Sequence, residues 1–337
     1  MKAWKLVDKN KFELVSRDIS EMDAQNDVKI KMNRVMLTSN DCYLVANPED
    51  NQIVLGSVGI GIVSEVLDSS DSRFSRMERV VIEPYIPCND CRYCKQSKYT
   101  DCINKQNLGV DSDGLLKDFI CLPHSCLYTI PEVVSPNDAI LVPMISLALN
   151  LLDKIQLEKG EHVAIFGGGI LGVIVACLVN YYQAMPVFIA KDEHTVDIAK
   201  SKNIFYTFNN QKDDVRQNIF SLTGGRKCEK VIYLAEGSIP ISLALESCGT
   251  NGILSFYSNC RKDLSMSITH IVKNNITVNA VENCYGNFPS AINLLTKNII
   301  SASDFDSEQI PFATLDKALP KIKREDMLKC NYIVKFE

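Results

Sequence analysis

Val163-Ala164-Ile165-Phe166-Gly167-Gly168-Gly169-Ile170-Leu171-Gly172 decides the fold. A short apolar strand runs into glycines and then into a long apolar helix, read from Leu171 to about Tyr181. Gly167, Gly169 and Gly172 fit G-x-G-x-x-G, the turn that brings a dinucleotide pyrophosphate onto a helix N-terminus. Gly167 allows the tight turn off the strand, Gly169 lets the backbone approach the pyrophosphate, and Gly172 lets helix and strand pack closely. The backbone N–H groups around Ile170 and Leu171 lack intrahelical acceptors and face an anion with the positive end of the helix dipole. The bland alternative is a merely flexible turn. The strand before it, the helix after it and a second apolar strand at Val187–Ala190 argue against that alternative.

Outward from this turn, Val231–Leu234 and Ile253–Tyr257 read as further strands. Strands alternating with helical segments imply a parallel sheet covered on both faces. The ribose selector belongs at the end of the second strand, where NAD-binding chains place an acid. Here Phe188-Ile189-Ala190-Lys191-Asp192-Glu193 puts Ala190 in that place, followed by Lys191. The expectation is NADP, with NAD as the alternative: a missing acid spares a ribose phosphate from repulsion and Lys191 supplies a positive charge. Asp192 would serve NAD if the strand ended later, and Lys191 has the plain reading of a solvated lysine.

The region before Val66 reads as short strands and turns, with alternation over Val28–Met32 and a glycine-punctuated strand at Gly59–Val63, hence an antiparallel, barrel-like region. Toward the C-terminus, Ala291–Leu295 and the Leu315, Ala318, Leu319, Ile322 series read as helical, the latter weakened by Pro320, and Tyr332–Phe336 as a final strand. Cys88, Cys91, Cys94 and Cys102 lie in one polar, turn-rich loop. Four soft thiolates in a closed tetrahedron suit one structural zinc, with an iron–sulfur cluster as the rival. Cys177, inside the apolar run, reads as a buried small hydrophobe.

Composition sets the limits. The 337 residues allow about two domains. A net charge of -5 leaves no basic field for nucleic acid or an acidic membrane. No apolar run reaches the roughly 18 residues of a membrane span, and the start, Met1-Lys2-Ala3-Trp4-Lys5, lacks a signal-peptide core. The cytoplasm is the expected location. Thirteen cysteines, an odd number in a chain this long, do not form a disulfide framework.

Taken together, the cysteine lobe, Leu55-Gly56-Ser57-Val58-Gly59-Ile60-Gly61, Gly109 with Asp113-Gly114, Ile130-Pro131 and the glycine turn resemble the medium-chain dehydrogenase/reductase superfamily, in particular the zinc-type alcohol, polyol and threonine dehydrogenases. The resemblance implies an α/β chain: a GroES-like β-barrel catalytic domain over residues 1–144 with a zinc lobe at 88–102, a doubly wound Rossmann domain over 145–282, and a C-terminal return, 283–337, to the catalytic domain. It also implies a small-molecule substrate and a homodimer or homotetramer joined through the nucleotide-binding domains. The departures concern the family's catalytic zinc. Its cysteine ligand place, in Thr38-Ser39-Asn40-Asp41, holds threonine, its Gly-His-Glu segment holds Ser57 and Val58, and its Glu-Pro segment reads Val142-Pro143. Neutral hydroxyls are poor zinc ligands. None of the four histidines lies in a ligand-like segment: His162 precedes a strand, His194 follows one, His124 sits beside a proline and His270 between isoleucines. Thr38, Ser39, Asn40 and Ser57 are therefore expected to orient a carbonyl or enone oxygen by hydrogen bonding, or else to be polar lining, with Asp41 a structural acceptor. The leading expectation is zinc-independent hydride transfer between NADP(H) and a small carbonyl, sugar-like or activated olefinic substrate. Two alternatives stand beside it: a nucleotide-binding regulatory or scaffolding protein, and an ordinary zinc enzyme that uses Cys42, otherwise a buried cysteine.

Overall fold

The strand His162–Gly167 lies inside a six-stranded sheet in which every pairing is parallel. The computed structural model describes residues 1–16, 22–23, 26–48, 53–67, 73–257 and 263–336. Across the sheet the strands run Tyr206–Asn209, Met185–Ala190, His162–Gly167, Cys228–Leu234, Cys248–Phe256 and Thr277–Ala280. The chain adds strands first to one side of His162–Gly167 and then to the other. The order therefore reverses between His162–Gly167 and Cys228–Leu234, the switch point at which doubly wound sheets bind their ligands. Val163, Ala164, Ile165 and Phe166 are fully buried, as are Val231, Ile232 and Tyr233. Such unbroken apolar runs belong to a sheet covered on both faces. The Tyr233 hydroxyl donates to the Ile239 carbonyl at 2.6 Å and accepts from the Gly237 N–H at 3.0 Å, so its burial leaves nothing unpaired.

The chain divides into two units, Met144–Asn287, which holds this sheet, and Met1–Pro143 with Phe288–Glu337. In the second of these, Val28–Met36 is the organising strand. One edge pairs with Val58–Val66 along its length, while the other is shared: Val28–Lys31 take Phe119–Leu122 and Arg34–Met36 take Cys330–Lys335. Arg79–Ile82 and Leu127–Thr129 continue the sheet on the Val58–Val66 side, and Asp306–Pro311 lies parallel to Cys330–Lys335 on the other. The pairings among Val28–Met36 and its neighbours are antiparallel, as expected for a barrel-like region; the terminal parallel pair was not. Trp4 links the first residues to the last. Its indole N–H donates to the Phe312 carbonyl at 2.6 Å, and Phe312 stacks on Phe336 with ring centroids 4.5 Å apart.

The structure corrects several local expectations. Residues 39–46, read as part of a strand-and-turn region, form the helix Ser39–Ala46, started by Thr38 as N-cap. The helical series after Leu315 is broken into Leu315–Ala318 and a 3-10 turn, Leu319–Lys321, because Pro320 removes a donor there. The cysteine loop carries two 3-10 turns, Cys94–Gln96 and Tyr99–Asp101. Cys177 is half-buried rather than buried. His162 does not precede the first strand but opens it. Among the described residues no helix is long and apolar enough to cross a membrane.

Replacing Trp4 by alanine removes a side chain 6% exposed and orphans the Phe312 carbonyl. A loss of about 3–5 kcal/mol is expected, read as a lower urea midpoint; an unchanged midpoint would show that the C-terminal segment is held elsewhere.

Candidate functional site

At the glycine turn, Gly167, Gly168 and Gly169 have φ of +73°, +86° and +53°. A Cβ on Gly167 would stand 2.7 Å from Ala235 Cα, and one on Gly172 would stand 2.1 Å from the Gly167 carbonyl oxygen. Helix and strand thus approach as closely as two backbones can, at the switch point, where Gly167 pairs with Leu234. Gly168 lies outside the G-x-G-x-x-G pattern yet is as constrained as the others. It is the N-cap of the helix Gly169–Tyr181, and a Cβ there would meet Leu234 Cδ1 at 2.7 Å. The run of three glycines was its only trace in the sequence. No side chain caps this helix. Its first N–H groups, near Ile170 and Leu171, remain available to an anion, and the cradle fits a pyrophosphate.

Beside it, the second strand ends at Ala190, which is buried. Lys191 is exposed, and Asp192 is the N-cap of the helix Glu193–Ser201. The Asp192 carboxylate accepts the Thr195 N–H at 3.0 Å and takes the Thr195 hydroxyl within 3.0 Å of both oxygens. That acid is already engaged.

The four loop cysteines converge. Their sulfurs all lie within 4.8 Å of one another. Four measured Sγ–Sγ separations are 3.5 Å (Cys88–Cys102), 3.6 Å (Cys91–Cys94), 3.9 Å (Cys91–Cys102) and 4.0 Å (Cys88–Cys94). A tetrahedron with zinc–sulfur bonds of about 2.3 Å has edges of about 3.8 Å. The donor set therefore fits a single tetrahedral ion, whereas a cluster of several irons would hold its cysteines further apart. Backbone N–H groups point at the sulfurs: that of Asp90 lowers the Cys88 pKa, and that of Cys94 lowers Cys91 to about 6. Burial pushes Cys94 the other way, up to about 12. A cation is what would hold all four as thiolates.

Thr38, Ser39, Asn40 and Ser57 are all half-exposed. Thr38 is not the available donor expected. Its hydroxyl donates to Asp41 Oδ2 at 2.7 Å and accepts the Asp41 N–H, while its own N–H meets the same carboxylate at 2.7 Å, a complete capping box. Asp41, 2% exposed, takes the Gly56 N–H on its other oxygen at 3.0 Å. This carboxylate ties the helix start to the segment that leads into Ser57. Burial raises the Asp41 pKa, against the pull of the Thr38 and Gly56 donors. Ser39, Asn40 and Ser57 make no side-chain hydrogen bond among the described residues. Val142, at the start of the helix Val142–Ile155, is fully buried. The three places to which the resemblance assigns catalytic zinc ligands thus hold an engaged hydroxyl, a serine and an isopropyl group, a donor set that does not fit zinc. Cys42 points elsewhere: its thiol meets the Ile322 carbonyl and Met327 Sδ at 3.5 Å, and burial pushes its pKa up to about 12.

The histidines are structural or at the surface. His124 pairs with Asp27 at 2.7 Å, His162 is buried 3.4 Å from Glu229, His194 is exposed, and His270 lies on the short helix Ile268–Lys273.

Two measurements test these sites. Zinc content of the purified chain is expected at one equivalent from the cysteine lobe, and Cys94→Ser is expected to lose it; a metal-free wild-type chain would refute the assignment. Asp41→Asn replaces an acceptor of three donors by a group with one oxygen. It is expected to lower stability by about 1.5–3 kcal/mol, and a stability equal to wild type would show that the capping box and Gly56 do not depend on the charge.

Comparison with known proteins agrees with this architecture. Residues 24–132 match the alcohol dehydrogenase GroES-like domain. The chain is 25% identical over 315 residues to an uncharacterized zinc-type alcohol dehydrogenase-like protein of Haemophilus influenzae, covering 92% of each chain. It is 21% identical over 305 residues to a sorbitol dehydrogenase of Bacillus subtilis, covering 88% of this chain and 86% of that one. The fold superposes on galactitol-1-phosphate dehydrogenase of Escherichia coli with a TM-score of 0.89 and 20% identity over the whole of both chains. Residues 24–132 thus carry an alcohol dehydrogenase GroES-like domain, and the chain as a whole shares the fold of, and is similar in sequence to, zinc-type alcohol and polyol dehydrogenases.

Proposed function

We propose that this chain is an NADP(H)-dependent oxidoreductase that transfers hydride to or from a small carbonyl, sugar-like or activated olefinic substrate without zinc at the reacting oxygen. The observation that carries the reading is the glycine turn at the switch point: three consecutive residues at positive φ, and a helix and strand so close that no Cβ fits at Gly172. The nicotinamide, when bound, supplies or accepts the hydride. The chain supplies the rest. The turn and the uncapped helix start hold the pyrophosphate. Ser39, Asn40 and Ser57 keep hydrogen-bonding groups for the oxygen on which charge develops, and Thr38 with Asp41 positions them. Hydroxyl and amide donors stabilise that charge less than a divalent ion does, which favours an activated C=O or C=C bond over an unactivated alcohol. The same reading assigns residues 1–144, with the zinc lobe 88–102, to the catalytic domain, 145–282 to nucleotide binding and 283–337 to the catalytic return. It includes a homodimer or homotetramer and a reducing, cytoplasmic setting in which the lobe cysteines stay available to zinc.

The choice of NADP rests on Ala190 ending the second strand, Lys191 standing exposed beside it, and Asp192 being spent on Thr195. The zinc-enzyme alternative through Cys42 is opposed by its buried, neutral thiol, turned toward Ile322 and Met327.

Fluorescence titration of the full chain tests this reading. NADPH is expected to bind roughly ten- to a hundredfold more tightly than NADH, the worth of one charge-assisted contact, and Lys191→Ala is expected to erase most of that margin. Equal or tighter binding of NADH would overturn the NADP assignment. Failure of both cofactors to bind would overturn the oxidoreductase reading itself.

A further inference from the structure

The unit that holds Val28–Met36 contains a cavity of about 210 Å³ whose wall is drawn from three stretches of chain, residues 135–141, 301–307 and 331–333. None of Thr38, Ser39, Asn40 and Ser57 lines it. Its apolar surface comes from Ile140, Leu141, Phe305 and Ile333, all buried. Its polar rim is fixed by one carboxylate. Asp138 accepts the Ser301 hydroxyl at 3.0 Å and the Ala302 N–H at 2.6 Å on one oxygen, and the Ser135 hydroxyl on the other. Residues 135–138 and 301–302, far apart in sequence, are thereby clamped together, and the acid has little capacity left for a ligand.

Three other polar groups on the wall are uncommitted or half-committed. Asn331 is 6% exposed and lines the cavity, yet no hydrogen bond among the described residues engages its side-chain amide. The oxygen and nitrogen of that amide stay accessible at the wall, open to a partner that enters the cavity. Ser307 sits opposite Asn331 in the parallel pairing of Asp306–Pro311 with Cys330–Lys335, and its hydroxyl is also unengaged. Asn137 accepts from the Arg34 guanidinium through Oδ1, which leaves its own N–H groups to donate. No lysine, arginine or histidine lines the cavity.

We propose that this cavity is a binding site for a small, neutral, polyhydroxylated molecule. A primary amide offers a donor and an acceptor side by side, and vicinal hydroxyls match that pair, one donating to Oδ1 while its neighbour accepts from Nδ2. Ser307 and Asn137 supply further partners at the rim. The C–H face of the same molecule covers Ile140, Leu141, Phe305 and Ile333. An anion would find no cation in the wall, and a cation would find its only carboxylate already holding three donors. The volume, below the roughly 300–1,000 Å³ of drug-sized pockets, suits a ligand of few carbons. The inference is independent of the cofactor reading.

Saturation-transfer NMR on the cofactor-free full chain, with xylitol as probe and succinate as the charged control, tests it. Transfer to xylitol and none to succinate is expected. Asn331→Leu, which keeps the side chain's size and removes the amide, is expected to weaken xylitol binding at least tenfold. Ser307→Ala, an exposed change that leaves the core untouched, is expected to weaken it about threefold and covers the case in which Asn331→Leu does not fold. No transfer to xylitol in the wild type would overturn the site, leaving a water-filled hollow. Transfer that persists unchanged in the variants would place xylitol elsewhere and overturn it equally.

Discussion

Among the described glycines, the one with least room for a side chain is Gly172, where an added Cβ would lie only 2.1 Å from the Gly167 carbonyl oxygen. Much of the nucleotide-binding unit depends on that approach. It lets the helix Gly169–Tyr181 lie tightly against the first strand, and it turns the helix N-terminus toward the C-terminal ends of the strands, at the point where their order reverses. Any side chain at Gly172 would push the helix away and open the cradle. The three left-handed residues before it have the same cause: the chain must reverse within a few residues, and L-residues with a Cβ resist that backbone.

In the other unit the organising interaction is the buried carboxylate of Asp41. It caps the helix Ser39–Ala46 and holds the N–H of Gly56, so two segments 15 residues apart meet on one side chain. This frame does not need a metal ion, since each of its bonds runs from a carboxylate to a backbone or hydroxyl donor. The lobe of Cys88, Cys91, Cys94 and Cys102 is the opposite case. Four sulfurs within 4.8 Å of one another, with N–H groups aimed at them, form a donor set that a shared cation would hold together. The chain therefore combines a four-sulfur site that fits zinc as a structural element with a second frame, around Asp41, built from a carboxylate and its hydroxyl and backbone donors.

What the sequence determined by itself follows from local chemistry. The glycine pattern, the cysteine spacing and the apolar strands Val163–Phe166, Val187–Ala190 and Val231–Leu234 were legible because backbone sterics, thiolate chemistry and burial on both faces each leave a mark within a few residues. Asp41 was expected as a structural acceptor from the family resemblance alone; that it caps a helix with Thr38 went unread, because the residues before Val66 were taken for strands and turns. What only the tertiary structure decided is which groups are already engaged, by partners three residues away as well as by partners distant in the chain. That Thr38 spends its hydroxyl on Asp41, that Asp192 spends its carboxylate on Thr195, and that Cys42 turns toward Ile322 and Met327 could not be read from residue types, because a hydroxyl, an acid or a thiol is compatible with both a free and an engaged state. The same holds for Asn331, which shares a cavity wall with Ile140, Leu141 and Phe305, drawn from other parts of the chain. Side-chain chemistry is written in the sequence; whether its hydrogen-bonding capacity remains available is set by what the fold packs against it.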